Sequence, residues 1–270
     1  MKLGASREAK LALDDVARSA RLWRIWVRLG LQDVRYRFRR SAIGVWWIFL
    51  NLAVLILSVG YIYGNLLGQN LREFIPYLTV GLVTWGYLLN SIAEGGNAFV
   101  GSEGYIKQIS LPIYVYIFRF FVSISLTALI SFAAFWLVAI VYGVQLNLGT
   151  LWALPGWAIL MTVSLLLITI LAHLNARFRD AAHLASIGMQ VMFYVTPVLY
   201  PADLLRERGL GAIIDLNPLY HLLEVIRRPL LSAAPAGPVN YLVAGLVIVA
   251  LAGAAATVIG IFRRRIVYAL

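Results

Sequence analysis

YLVAGLVIVALAGAAATVIGIF, residues Tyr241 to Phe262, holds no charge, and its polar breaks are as small as Thr257. A bilayer core about 30 Å thick takes about 20 apolar residues in a helix, so this stretch alone is long enough to cross one. Working back along the chain, five further runs have a similar character: Ala42 to Leu67, Phe74 to Ile92, Ile113 to Tyr142, Leu151 to Leu174 and Ala181 to Leu199. His183 and Gln190 interrupt the last of these, and Pro197 ends it. The runs are long and continuously apolar, whereas a spanning barrel shows alternating segments of about ten residues. In lipid the backbone must satisfy its own hydrogen bonds, so such runs become helices. The expected fold is all-α: a polytopic membrane protein with about six transmembrane helices.

Composition agrees. Of 270 residues, 61% are hydrophobic and 13% charged, and the mean hydropathy is +0.83. A soluble domain is about half apolar and about a quarter charged. There is no cysteine, which excludes a disulfide framework, a thiolate metal site and a cysteine nucleophile. The arginine-studded first 40 residues lack the apolar core of a cleavable signal.

The net charge of +11 reads as topology rather than as nucleic-acid binding. Eleven Lys and Arg fall in residues 1–40, and Lys107, Arg177, Arg179 and Arg263 to Arg265 fall on the same side of a six-span chain. The other side has Arg72, Arg206, Arg208, Arg227 and Arg228. By the positive-inside rule the richer side is cytoplasmic, with both termini there. Arg119, inside the third run, is expected to snorkel toward the inner interface. The chain divides into a cytoplasmic N-terminal segment (1–41), a six-helix domain (42–262) and a short basic cytoplasmic tail (263–270).

Two segments are neither spans nor plain loops. From Leu22 to Phe38, Leu22, Ile25, Trp26 and Leu29 recur at helical spacing while Arg21, Arg24 and Arg28 fill other faces. This pattern predicts an amphipathic helix at the interface, beside anionic headgroups. Pro201 to Pro238 lies on the outer side with apolar patches at Leu210 to Leu216 and Leu219 to Ile226, separated by Pro218 and closed by Pro229. Each is too short to span. They fit either two half-helices dipping back from the outer face or an ordinary loop.

Chemistry is sparse. There is no G-x-x-x-x-G-K-[ST] phosphate loop. His173 and His183 flank a cytoplasmic loop and read as boundary polar residues more readily than as metal ligands. His221 and Glu224 stand three apart, which suits a structural hydrogen bond better than acid–base work. Glu94 lies at the inner end of the second run, where it can reach water. Trp46, Trp47, Tyr142, Trp152 and Trp157 suit an interfacial belt. Tyr61, Trp85 and Phe193 lie deeper and are candidates for a glycan path, since sugars pack on aromatic faces, although lipid contact and helix packing use the same residues.

Four stretches together resemble the membrane subunits of ABC-2-type polysaccharide exporters, which move O-antigen, capsule or teichoic-acid polymers. Arg37-Phe38-Arg39-Arg40-Ser41, with Ile43, Gly44 and Trp47, is similar to the family's approach to the first span. Tyr105-Ile106-Lys107-Gln108-Ile109-Ser110-Leu111-Pro112 resembles its cytoplasmic loop, with Gln108 in place of a second lysine. Ala176-Arg177-Phe178-Arg179-Asp180 leading to Thr196-Pro197-Val198-Leu199-Tyr200-Pro201, and then Leu216-Asn217-Pro218-Leu219-Tyr220-His221, complete the set.

The resemblance spans roughly residues 30 to 262. It implies a homodimer joined at spans one and five, with two copies of a separate ABC ATPase subunit. ATP and Mg are held on those partners, and no cofactor on this chain. It implies an ATPase-coupling loop at Glu103, Tyr105, Ile106, Lys107 and Gln108. The head group of a lipid-linked polysaccharide is expected near Arg35, Tyr36, Arg37, Arg39 and Arg40, and an outer gate around Pro201, Asn217, Pro218 and His221. The expected role is transport, not catalysis, in a bacterial inner membrane. Rival readings are an ABC-2 exporter of drugs or lipids, a polytopic glycosyl or phosphate transferase, and a proton-driven carrier. The last two lack, respectively, clustered acids or histidines and central acids.

Overall fold

A computed structural model describes residues 14–262. The basic tail and the first 13 residues, with the charges counted there, lie outside the described residues. Eleven helices follow residues 14–21, which are also helical: α1 (Trp23–Phe38), α2 (Trp46–Leu66), α3 (Leu71–Ala93), α4 (Glu103–Gln108), α5 (Tyr114–Tyr142), α6 (Ala153–Arg177), α7 (Ala181–Val195), α8 (Ala202–Glu207), α9 (Gly211–Asp215), α10 (Pro218–Ser232) and α11 (Pro238–Phe262). No strand occurs among the described residues.

Four helices are long and apolar enough to cross a bilayer: α2, α5, α6 with its leading turn from Leu148, and α11. The second expected span, α3, has 23 residues and rises about 35 Å at 1.5 Å per residue. It begins with Arg72 and Glu73, and most of its length is buried inside the bundle rather than turned to lipid. Side-chain pairs fix the helix directions. Gly60 and Gly64 of α2 back onto Ile75 and Leu71 of α3, so these two run antiparallel. Tyr87 of α3 bonds Ser125 of α5, and Gly101, just after α3, abuts Phe120, again antiparallel. Ser91 meets Ser164, and Asn97 meets Asn175, so α3 and α6 are parallel. Trp85 meets Phe193 of α7 and Gly96 meets Ala182, reversing direction once more. Thus α2, α3, α5, α6 and α7 alternate. Asn240, at the start of α11, bonds His221 at the end where α7 finishes, so α11 returns. The chain is a polytopic helical membrane protein with α3 at its centre.

The fifth expected span is shorter than the sequence suggests. α7 has 15 residues, about 22 Å. It stops because Thr196 precedes Pro197, which drives the backbone before it out of the helical region, and Thr196 is indeed extended. The segment between α7 and α11 is not an ordinary loop. α8 and α9 are short and largely exposed, whereas α10 is buried along one face by His221, Leu222, Leu223, Val225, Ile226, Arg227 and Leu230. Pro229 does not close it, contrary to expectation: the helix continues to Ser232.

Candidate functional site

The bundle has two ends. At the basic end, α1 lies across the start of α5. Gly30 and Val34 face inward, the Trp26 and Phe118 rings are 5.3 Å apart, and a Cβ at Gly30 would sit 2.8 Å from the Arg119 carbonyl. The helix therefore spends part of its apolar face on protein rather than on lipid. After it, Gly44 takes a positive φ of 57° that only glycine adopts freely. Its N–H donates to Ser41 Oγ at 3.0 Å, which gives the Ser41/Gly44 spacing a structural reason.

The five head-group candidates, Arg35, Tyr36, Arg37, Arg39 and Arg40, are all exposed. Arg39 sits over the Tyr36 ring at 5.6 Å, and Gln32 donates to the Tyr36 hydroxyl. Arg37 is engaged: it pairs with Glu94 at the end of α3, so Glu94 does not simply face water. Arg119 does not snorkel. Its Nε and Nη2 donate to the two carboxylate oxygens of Asp33, each at 2.6 Å. Asp33 is the only acid of α1 and Arg119 the only charge in α5, a pairing of lone opposite charges that was available in the sequence.

Between α3 and α5 two 3₁₀ turns lead into α4, which carries the five coupling candidates. Glu103 and Ile106 are half-buried, while Tyr105, Lys107 and Gln108 are exposed. Lys107 Nζ donates to Glu103 Oε1 at 2.6 Å and holds that carboxyl below the usual carboxylate range. His173 lies within α6, its ring between those of Phe99 and Tyr114. No group of three metal-ligating side chains occurs among the described residues.

At the far end the gate candidates come together. Pro201 caps α8 and Pro218 opens α10, where its fixed φ and missing N–H suit a first turn. Asn217 caps α10 by accepting from the Leu219 N–H, and its amide donates to Thr196 Oγ1 at 2.8 Å. The two ends of the α8–α9 excursion are thereby pinned together. His221 does not pair with Glu224. It bonds Asn240 through Nδ1 at 2.6 Å and the Asp215 carbonyl through Nε2 at 3.0 Å. Glu224 turns instead to Arg227.

Sequence reasoning counted Arg227 only as a loop charge, yet it is 2% exposed. Its Nη1 donates to the Tyr77 hydroxyl at 2.8 Å, the Pro197 carbonyl at 3.0 Å and Glu224 Oε1 at 3.3 Å. Its guanidinium carbon lies 3.9 Å from the Tyr77 ring centre. The signal for this site was a charge pair at i, i+3 inside an apolar helix, which in a membrane segment marks a protein-facing site. Of the three path aromatics, Trp85 and Phe193 pack edge to face at 5.4 Å, with Trp85 buried, while Tyr61 stands 66% exposed on α2. Trp157 is half-buried, packed between Phe132 and Tyr87.

Six helices of alternating direction, with α10 packed against α3 and α6 at one end and α1 and the short α4 at the other, make this a polytopic helical membrane protein. Its sequence places it further: the chain belongs to the ABC-2 type transporter family, which it matches over residues 26–231. It is similar to the O-antigen export system permease protein RfbA of Myxococcus xanthus, at 26% identity over 202 residues, covering 73% of this chain and 76% of that protein. A permease of the same name from Klebsiella pneumoniae is 27% identical over 199 residues, with the same shares covered.

Proposed function

We propose that this chain is the membrane subunit of an ATP-driven exporter that carries a lipid-linked polysaccharide of O-antigen type out of the cytoplasm across a bacterial inner membrane. The observation that carries the reading is α4, a short helix with exposed Tyr105, Lys107 and Gln108, held between two membrane helices at the basic end of a chain without a phosphate loop. Such a helix offers a separate ATPase something to push. The relatives named for O-antigen export support the choice of cargo.

In this reading two copies of the chain pair with two ATPase subunits, which hold ATP and Mg, and the basic end faces the cytoplasm. The phosphate of the lipid carrier is drawn to the exposed Arg35, Arg39 and Arg40 by charge-assisted hydrogen bonds. Tyr61 on α2 and Phe193 on α7 border the passage between copies, and α8 and α9 yield on the outer side. Deleting the gene and following a labelled surface glycan tests this. Lipid-linked polymer trapped on the cytoplasmic side, with surface glycan lost, supports the exporter. Unchanged surface glycan removes the polysaccharide assignment, and failure to make any polymer favours a membrane transferase.

A further inference from the structure

Arg119 touches three elements at once. It belongs to α5, and its two parallel N–H donors grip Asp33 of α1 at 2.6 Å each. Its guanidinium carbon lies over the Tyr105 ring of α4, 5.3 Å from the centroid. A planar guanidinium can fork onto a carboxylate and lie against a ring together, which an ammonium cannot. The pair is sheltered, with side-chain exposures of 13% for Arg119 and 25% for Asp33, so water and salt screen it less than a surface pair.

Holding α1 against α5 does not need this arrangement. Gly30 already brings the α1 backbone into contact with Val122 and the Arg119 carbonyl, and the Trp26 and Phe118 rings close the same seam. What Arg119 adds is a bridge from that seam to α4. We infer that Arg119 is the joint through which displacement of α4 reaches α1, with Tyr105 as the contact that receives the motion and Asp33 as the contact that delivers it. Arg119 is thus a positioning residue: it sets where α1, and the arginines that follow Asp33 on it, stand relative to the bundle when the ATPase closes.

The inference rests on α4 being the ATPase's contact, so the experiment separates the two. The chain has no cysteine, and Leu31 is 39% exposed on α1. An environment-sensitive fluorophore on Leu31→Cys therefore reports α1 alone in the complex with its ATPase, in lipid vesicles, before and after a non-hydrolysable ATP analogue. The wild-type background shifts its emission on nucleotide binding. Arg119→Lys and Tyr105→Ala each cut the shift by about fivefold, and the double variant loses no more than either single, as expected of groups acting in one contact. Tyr105→Phe, which keeps the ring, behaves as wild type. A merely structural Arg119 predicts instead that assembly and stability fall while the surviving complex still shifts fully, and that result overturns the joint. If Arg119→Lys does not assemble, Tyr105→Ala, altered at a half-exposed ring, decides alone. A wild-type chain that binds no ATPase sinks the exporter reading itself, whereas a wild type and both variants that shift equally sink only the joint.

Discussion

Arg227 shows what a single residue does in this bundle. The chain leaves the helical conformation at Thr196, and backbone outside a helix at membrane depth must find partners within the protein. Tyr77 and Arg227 supply them: both donate to the Pro197 carbonyl, and Tyr77 also donates to that of Tyr200. Glu224 balances the arginine's charge. Replacing Arg227 by Met leaves a sheltered carboxylate unpaired and a carbonyl with one donor fewer, and breaking a buried pair in this way costs about 3–5 kcal/mol. Glu224→Gln is milder, because an amide oxygen still accepts from Nη1. Thermal unfolding of the detergent-purified protein should rank wild type above Glu224→Gln and Glu224→Gln above Arg227→Met, and equal midpoints for all three would refute the bracing role. Little of this was legible beforehand. Hydropathy and charge counting register that Arg227 lies in an outer segment, not that a proline-broken span elsewhere leaves a carbonyl for it to hold. The pairing of Asp33 with Arg119 was not read from the sequence either, where Arg119 was expected to snorkel, although Asp33 is the only acid of α1 and Arg119 the only charge of α5.

At the scale of elements, the spans followed from apolar run length, because nothing but a helix satisfies the backbone in lipid. Their ends followed less well where local chemistry competes with hydropathy: Pro197 shortens α7, and Asn70, whose side chain accepts from the Arg72 N–H, lets α3 begin before its apolar run. The largest departure is α10. Proline inside a helix removes the donor that residue i−4 would use, so Pro229 frees the carbonyl of Val225. That carbonyl faces α6 at Gly156, where an added Cβ would stand 2.2 Å from it. Pro229 and Gly156 are therefore two halves of one close approach, and no local pattern in either segment reveals it. Gly156→Ala pushes backbone against backbone and should dislodge α10, with a loss of about 1–3 kcal/mol typical of overpacking. Gly188→Ala in α7, where a Cβ meets nothing within 4 Å, is the control and should be neutral or better. Protease sensitivity of the 197–217 excursion is the readout: only the Gly156 variant should be cleaved faster.

For the whole molecule, the question is how many helices cross. Counting hydropathy alone yields four, while the alternating directions of α2, α3, α5, α6, α7 and α11 yield six. Both totals are even and leave the termini on one side, so the termini cannot discriminate. The loops can. With six crossings, residues 109–113 lie on the side of α1 and residues 143–147 on the opposite side. With only α2, α5, α6 and α11 crossing, these two loops exchange sides. The six-helix arrangement also gathers Lys107, Arg177 and Arg179 on the face that carries α1, in line with the positive-inside rule, whereas four crossings would move all three to the opposite face. α3 is the centre of the bundle, where Thr79, Thr84 and Ser91 are buried against protein, and such polar residues lower its hydropathy without barring it from crossing. The cysteine-free chain makes the test direct, because Ser110 and Gln145 are both exposed. In intact spheroplasts a membrane-impermeant maleimide should label Gln145→Cys, and should label Ser110→Cys only after the membrane is opened. The reverse pattern would mean that α3 does not cross, and labelling of both from outside would mean that the bundle is not inserted as a unit.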